Sequence, residues 1–179
     1  FKLPIKPSPL SRRIYERIEA LGKKKNARIL VSLDYDPGSK EELNPMAHAF
    51  LSHCFKLGIR VVAMTHQPTG VGLVGSVIEK EAKRHGRKYG VDYAYLGYRS
   101  GDRALIIAMT ENFRAAFDRD RQGTPTSRLP ITADIKGLAD FDYLMVITHG
   151  ETLEWWIVYG QDKAHIPVAV SYTHLRAHE

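Results

Sequence analysis

The fold is decided by residues Ala27–Leu33, which read ARILVSL and form a short, nearly continuous apolar run. A strand covered by helices on both faces is apolar at nearly every position, so this run predicts a buried strand of a parallel sheet. The residues that follow, Asp34-Tyr-Asp-Pro-Gly38, are typical of a turn. Polar side chains therefore begin where the first strand ends.

Four more apolar runs follow and alternate with segments of helical periodicity. They are Ile59–Thr65, Val91–Tyr98, Tyr143–Thr148 and Ile166–Val170. The resulting βαβαβαβαβ pattern predicts a Rossmann-like three-layer α/β sandwich with a mostly parallel sheet of about five strands.

The helix after the first strand has two possible starting points. Ser39 and Glu42 could form a capping box, but Pro45 should break a helix that runs through it. We therefore place a turn at Ser39 and begin the main helix with Asn44 as its N-cap. Its expected buried stripe is Met46, Phe50, Cys54 and Leu57.

The remaining helices follow from apolar spacing. Ser8-Pro9 begins a short helix that ends at Gly22, and a second helix is expected over 72–89. The segment after the third strand could be a strand over 104–109, but its apolar residues recur every four positions and favour a helix. These residues are Leu105, Met109, Phe113 and Phe117. A long loop over 118–142 and a helix over 152–164 complete the chain.

The chain divides into three parts. Residues 1–25 form an extended lead-in, a short helix and a basic linker, and residues 26–170 form the α/β domain. Residues 171–179, SYTHLRAHE, resemble translated sequencing-adapter read-through, so we predict a non-native tail. This tail and the start at Phe1 predict a metagenomic fragment of a longer reading frame.

Composition excludes several classes of function. The 179 residues are 44% hydrophobic with a net charge of +6, and no apolar run is long enough to span a bilayer. One cysteine, Cys54, leaves no internal disulfide and no multi-cysteine zinc site. No aromatic residues interleave with the basic clusters, so we expect no nucleic-acid partner.

Polar residues follow four of the predicted strands. In parallel sheets, ligands bind beyond the carboxyl ends of the strands, so these residues are the predicted ligand-binding rim. They are Asp34, Asp36, Thr65, His66, Arg99, Ser100, His149 and Glu151. No local spacing among them is typical of a metal site, and we predict neither a metal nor a cofactor.

A glycine motif precedes the second main helix. Gly70-Val-Gly72-Leu-Val-Gly75 matches the dinucleotide-binding pattern, but too many residues separate it from the preceding strand. No acidic residue follows the third strand to hold a ribose. The motif therefore favours close packing of the helix over nucleotide binding.

Two aspartates suggest an enzymatic alternative. Asp34 and Asp36, together with Thr65 after the second strand, resemble the opening motifs of the haloacid dehalogenase phosphohydrolases. The resemblance implies Asp34 as nucleophile, Asp36 as acid/base and Mg²⁺ as cofactor. Gly38 departs from that family's pattern, and no acidic pair follows the fourth strand to complete a magnesium site.

A wider resemblance covers residues 4–170. It rests on Ile5-Lys-Pro-Ser8, Ile14-Tyr15, Ser32-Leu-Asp-Tyr-Asp-Pro37, His53-Cys-Phe, Gly97-Tyr98, Gly123-Thr-Pro125 and Trp156-Ile157. The chain resembles an uncharacterised bacterial membrane-anchored family with a Rossmann-like domain. The resemblance implies flanking transmembrane helices, which this chain does not contain, and a domain on the extracytoplasmic side of the cell membrane. It implies no activity.

Our leading hypothesis is a membrane-tethered domain that binds a small ligand or a protein partner at the carboxyl edge of the sheet. The alternatives are a Mg²⁺-dependent phosphohydrolase using Asp34 and Asp36, and a structural scaffold whose polar rim has no ligand.

Overall fold

The sheet is built around the first strand, β1 (Arg28–Asp34), in which all seven residues are buried. The computed structural model describes residues 8–150 and 152–172. In it, β1 pairs in parallel with β2 (Arg60–Thr65) on one side and with β4 (Tyr143–Thr148) on the other. The apolar run therefore forms the central strand, as its composition requires.

Two outer strands complete the sheet. β3 (Tyr93–Tyr98) pairs in parallel with β2, and β5 (Val168–Tyr172) pairs in parallel with β4. The five strands of the described residues have the order β3-β2-β1-β4-β5, which confirms the Rossmann-like α/β sandwich. The chain moves outward from β1 to β3 and then crosses back to β4. The point where the strand order reverses lies between β1 and β4, which is where ligands bind in such sheets.

Helices cover both faces of the sheet. Alternate residues of β1 enter different cores: Ile29 and Val31 pack with one group of helices, and Leu30 packs with the other. The first group is α1 (Pro9–Gly22), α2 (Lys40–Lys56) and α3 (Val71–Arg84). The second group is α4 (Asp102–Glu111), α5 (Phe113–Ala116) and α6 (Thr152–Trp156), which continues as a π-helix over Ile157–Lys163.

The predicted start of α2 was wrong. The helix begins at Lys40 and runs through Pro45, and Ser39 makes no side-chain capping bond. A proline inside a helix removes one backbone hydrogen bond. Here Leu43 and Ala47, one on each side of Pro45, are fully buried, and burial of that face outweighs the lost bond. The predicted stripe is confirmed at Phe50 and Cys54 but not at Met46 and Leu57, which keep partial exposure.

The other boundaries differ less. Ser8 caps α1 as predicted, and the segment after β3 is helical, although it breaks at Asn112. The helix expected over 72–89 ends at Arg84, just before Gly86, which has a φ of +63°. β5 begins two residues later than expected and includes Ser171 and Tyr172, the first two residues of the predicted non-native tail.

The glycine motif has a packing role at its first position. A Cβ on Gly70 would lie 2.2 Å from the carbonyl oxygen of Tyr35, so only glycine lets this turn approach the loop after β1. A Cβ on Gly72 would meet nothing within 4 Å, and one on Gly75 would contact the ring of Tyr95. The motif therefore contains one glycine that the fold requires and one that it does not.

We expect the change Gly70→Ala to lower the free energy of unfolding by about 2–3 kcal/mol, because the added methyl group displaces a backbone carbonyl. The matched control, Gly72→Ala, should leave stability unchanged or raise it by up to about 1 kcal/mol, since alanine favours a helix interior. Urea denaturation measures both values. Equal stability of the two variants would contradict the assigned role of Gly70.

Candidate functional site

The carboxylate of Asp34 lies at the centre of the carboxyl edge of the sheet. Its side chain is fully buried at the end of β1. It accepts hydrogen bonds from the Ser32 hydroxyl at 2.8 and 2.9 Å, from the His66 backbone N–H at 2.8 Å and from the Thr152 hydroxyl at 3.1 Å. These donors come from β1, from the residue after β2 and from the start of α6. One carboxylate therefore joins three elements of the fold.

The environment of Asp34 keeps it ionised. Burial alone would raise the pKa of this carboxyl group, but the hydrogen bonds from the side chain and backbone of His66 and from the Ser32 hydroxyl outweigh burial. The pKa of Asp34 is consequently below its ordinary value. Every group around the carboxylate donates, which is the arrangement that a buried negative charge requires.

The imidazole of His66 has hydrogen-bond partners at only one of its two nitrogen atoms among the described residues. Its Nδ1 lies 3.3 Å from both carboxylate oxygens of Asp34. Since a carboxylate only accepts hydrogen bonds, Nδ1 carries a proton. The ring meets the indole of Trp156 edge-on at 5.6 Å between centroids. Among the described residues, the buried Nε2 has no hydrogen-bond partner.

A cavity of about 400 Å³ opens beside His66. It lies above the ends of β2 and β3 and reaches the start of α6. Its lining combines aromatic and polar groups: His66, Gln67, Pro68, Tyr98, Gly101, Asp102, Thr152 and Trp155. The guanidinium of Arg103 covers the face of Trp155 at 4.9 Å and donates to the hydroxyl of Tyr159 at 3.2 Å, which fixes the indole in place.

The turn at the rim of this cavity has unusual backbone geometry. Gly101 has a φ of +112°, and Asp102, which has a side chain, has a φ of +32°. A residue other than glycine in this region carries a strain of about 1–3 kcal/mol, and such positions concentrate at binding sites. The strained turn presents Asp102 to the cavity.

Several predicted site residues do not reach this cavity. The Asp36 carboxylate turns toward α2 and accepts from the backbone N–H and the hydroxyl of Ser39 at 3.1 and 3.3 Å. Arg99 pairs with Asp118 at 2.7 Å, and Ser100 is exposed at the surface. These three residues were predicted because they follow strands, but their side chains leave the edge in other directions.

The remaining predicted residues hold the backbone at this edge. The buried Thr65 hydroxyl accepts from the Gln67 N–H at 3.0 Å and shapes the turn after β2. The Nδ1 of His149 lies 3.1 Å from the backbone oxygen of Asp34. Glu151 lies outside the described residues. The structure thus brings Asp34, Thr65, His66 and His149 together.

The geometry does not support the phosphohydrolase alternative. A nucleophilic aspartate must offer a free oxygen to a phosphorus atom, whereas both oxygens of Asp34 already accept hydrogen bonds from within the protein. The proposed acid/base, Asp36, serves the start of α2 instead. Over 8–150 and 152–172, no three His, Cys, Asp or Glu side chains are grouped closely enough to hold a metal ion.

The sequence did not single out the aromatic walls of the cavity. Tyr98, the last residue of β3, is 37% exposed, and Trp155 is half-buried. An aromatic residue at a strand end was the available signal for Tyr98. No comparable signal existed for Trp155, because its neighbour Trp156 occupies the core and the two are equivalent in the apolar pattern.

Comparisons with protein-family models, with curated proteins and with solved structures find no match to this chain. No helix within the described ranges is both long enough and apolar enough to cross a membrane. The resemblance to a bacterial membrane-anchored family stays a prediction.

We expect Asp34→Asn to lower the free energy of unfolding at pH 7 by about 2–4 kcal/mol, because an amide group places its own donors against those of His66 and Thr152. The folded pKa of Asp34 is below the unfolded value of 3.8, so this stabilisation exists above that value. It is lost as the pH falls through the folded pKa. The stability difference between wild type and variant, measured by urea denaturation, should therefore be constant at higher pH and shrink as the pH falls below 3.8.

The control for this measurement is Asp36→Asn. An asparagine keeps the oxygen that accepts from Ser39, so the change should cost less than about 1 kcal/mol. If the two variants lost equal stability at pH 7, Asp34 would not have the central role assigned to it.

Proposed function

We propose that this domain binds a small molecule in the cavity at the carboxyl edge of its sheet, with His66 as the buried polar contact and Trp155 and Tyr98 as aromatic walls. The observation that carries the proposal is that His66 lines the cavity and that its buried Nε2 atom has no partner among the described residues. An unpaired buried polar atom costs about 1–3 kcal/mol, and a ligand that pairs with it recovers this cost.

The chemistry of His66 indicates what the ligand offers at this point. With its Nδ1 proton held toward Asp34, the uncharged form of the imidazole presents Nε2 as a hydrogen-bond acceptor. A hydroxyl, amine or amide N–H of the ligand would donate to it. Gln67, Asp102 and Thr152 add further polar groups on the other walls.

The position and size of the cavity support the same proposal. It opens at the carboxyl ends of parallel strands, where sheets of this type bind their ligands. Its volume of about 400 Å³ falls within the range of small-molecule sites. The groups that line it come from the ends of β2 and β3, the turn after β2 and the first turns of α4 and α6, so the sheet and helices position them before a ligand arrives.

The cellular location proposed for this domain rests on the family resemblance alone. The similarity to membrane-anchored bacterial proteins supports a binding domain displayed on the extracytoplasmic side of the cell membrane. That location stays a prediction, as does a protein partner at the same edge.

Trp155 offers a direct test of binding. The chain contains two tryptophans, and Trp156 is fully buried in the core, whereas Trp155 lines the cavity. We expect a library of soluble metabolites, screened by thermal shift, to contain compounds that raise the melting temperature and change the tryptophan fluorescence. Trp155→Phe should abolish the fluorescence change while the thermal shift persists. A library without any stabilising compound would overturn the proposal.

The role of His66 is tested with the compounds that the screen identifies. We expect His66→Asn to weaken their binding at least tenfold, the equivalent of about 1.4 kcal/mol, because the shorter amide can keep a donor toward Asp34 but leaves no group at the Nε2 position. The control is His165→Asn, because His165 is exposed and does not line the cavity. Isothermal titration calorimetry measures both, and circular dichroism verifies that the variants fold. Unchanged affinity in a folded His66→Asn protein would contradict the assigned contact.

A further inference from the structure

A second cavity adjoins the first on the side of β3. It also has a volume of about 400 Å³, and it is lined by Pro68, Val71, Leu96, Tyr98, Arg99, Arg119, Asp120 and Arg121. The two cavities share Pro68 and Tyr98. The partly exposed Tyr98 therefore lies between the first cavity, which is aromatic and polar, and the second cavity, which is rich in arginine.

The arginines of the second cavity come from a segment that is fastened to β3. The backbone N–H of Arg121 donates to the carbonyl of Tyr95 at 2.9 Å. Its aliphatic stem lies across Gly97, where a Cβ would be only 2.9 Å from the Arg121 Cδ. Gly97 has a φ of +77° and lies where the pairing of β2 with β3 changes register. The irregular end of β3 thus makes room for the stem of Arg121.

Asp120 holds the turn that carries these arginines. One of its oxygens accepts from the backbone N–H groups of Gln122 and Thr124 at 2.9 and 2.7 Å, and the other accepts from the Tyr89 hydroxyl at 2.6 Å. The carboxylate of Asp120 is buried and occupied by these donors. It is therefore poorly placed to pair with the guanidinium groups beside it.

The arginines of the second cavity carry more positive charge than the nearby carboxylates neutralise. Arg99 is paired with Asp118, and Arg119 donates one hydrogen bond to the carbonyl of Gly123 at 2.7 Å. Among the described residues, the guanidinium of the exposed Arg121 makes no hydrogen bond or ion pair, unlike those of Arg99 and Arg119. Helix α3 also begins at this wall with Val71, and no side chain caps it, so its positive end adds to the potential.

We propose that the ligand of this domain is a small organic anion that spans both cavities. This inference rests on the proposed function. A phosphate or carboxylate group binds Arg119 and Arg121, since the planar guanidinium presents paired donors to such oxygens. The uncharged remainder passes the ring of Tyr98 and enters the first cavity, where a planar group packs between Tyr98 and Trp155 and a donor reaches His66.

The test uses four defined probes with isothermal titration calorimetry at low salt. Pyrophosphate and citrate represent the two types of anion, adenosine represents a planar group without charge, and ADP joins a planar group to phosphates. We expect one of the anions to bind and adenosine to bind at least tenfold more weakly than ADP. Preference for pyrophosphate or for citrate assigns the anion as phosphate or carboxylate. Binding of the favoured anion should weaken as salt concentration rises.

Two arginine variants complete the test. Arg121→Gln removes the guanidinium that lacks a protein partner, and it should weaken anion binding at least about tenfold. Arg13→Gln removes the same charge from an exposed position on α1 and should leave binding unchanged. Binding that persists equally in both variants would show general attraction by surface charge and overturn the inference.

The outcome also separates this inference from the function on which it rests. If no anion binds, but an uncharged compound stabilises the protein and depends on His66, the ligand is not an anion and the binding site stands. If neither anions nor any library compound binds, both proposals fail.

Discussion

The hydrogen bonding of the buried Asp34 carboxylate determines how the carboxyl edge of this protein is built. A charge taken out of water has to be met by donors, and here they come from Ser32 on the same strand, from His66 after β2 and from Thr152 on α6. These residues are close in the sheet but up to 118 positions apart in the chain. The carboxylate therefore fixes the relation between strands and helix more tightly than apolar contacts, which have no preferred direction, could do.

The binding groove combines two kinds of wall. The first cavity is lined mainly by strand ends and helix starts, whose positions follow from the parallel sheet. The second takes its arginines from a loop that reaches β3 through the backbone of Arg121 and is stiffened by the buried Asp120. Tyr98 belongs to both cavities. The sheet thus supplies the fixed and neutral part of the groove, and the loop supplies the charge.

Local sequence patterns predicted the fold better than the site. Strand β4 has the predicted bounds, because a short apolar run between turn residues has few alternatives. The start of α2 was wrong because the local penalty at Pro45 was weighed without the burial of Leu43 and Ala47, which only the folded chain provides. Asp34 and His66 were predicted at this edge because they follow predicted strands directly, and the structure brings them into contact.

The residues that the sequence did not identify at the site depend on long-range packing. Trp155 reaches the cavity because Trp156 takes the core position beside His66. Arg119 and Arg121 lie about 20 residues after the end of β3, and the intervening helices bring them back against that strand. A contact of this kind leaves no periodic pattern in the sequence. The direction of the Asp36 side chain toward α2 could not be predicted for a related reason, since a position after a strand does not fix where a side chain points.

The backbone hydrogen bond between Arg121 and Tyr95 affects how the sequence of such a protein can evolve. This anchor uses main-chain atoms, so it does not depend on which side chains the segment carries. Substitutions at 119 and 121 can alter the charge presented to a ligand while the sheet and its buried carboxylate stay as they are. Related domains could therefore diversify in what they recognise without a new scaffold, and selection on recognition and selection on folding would act on different residues.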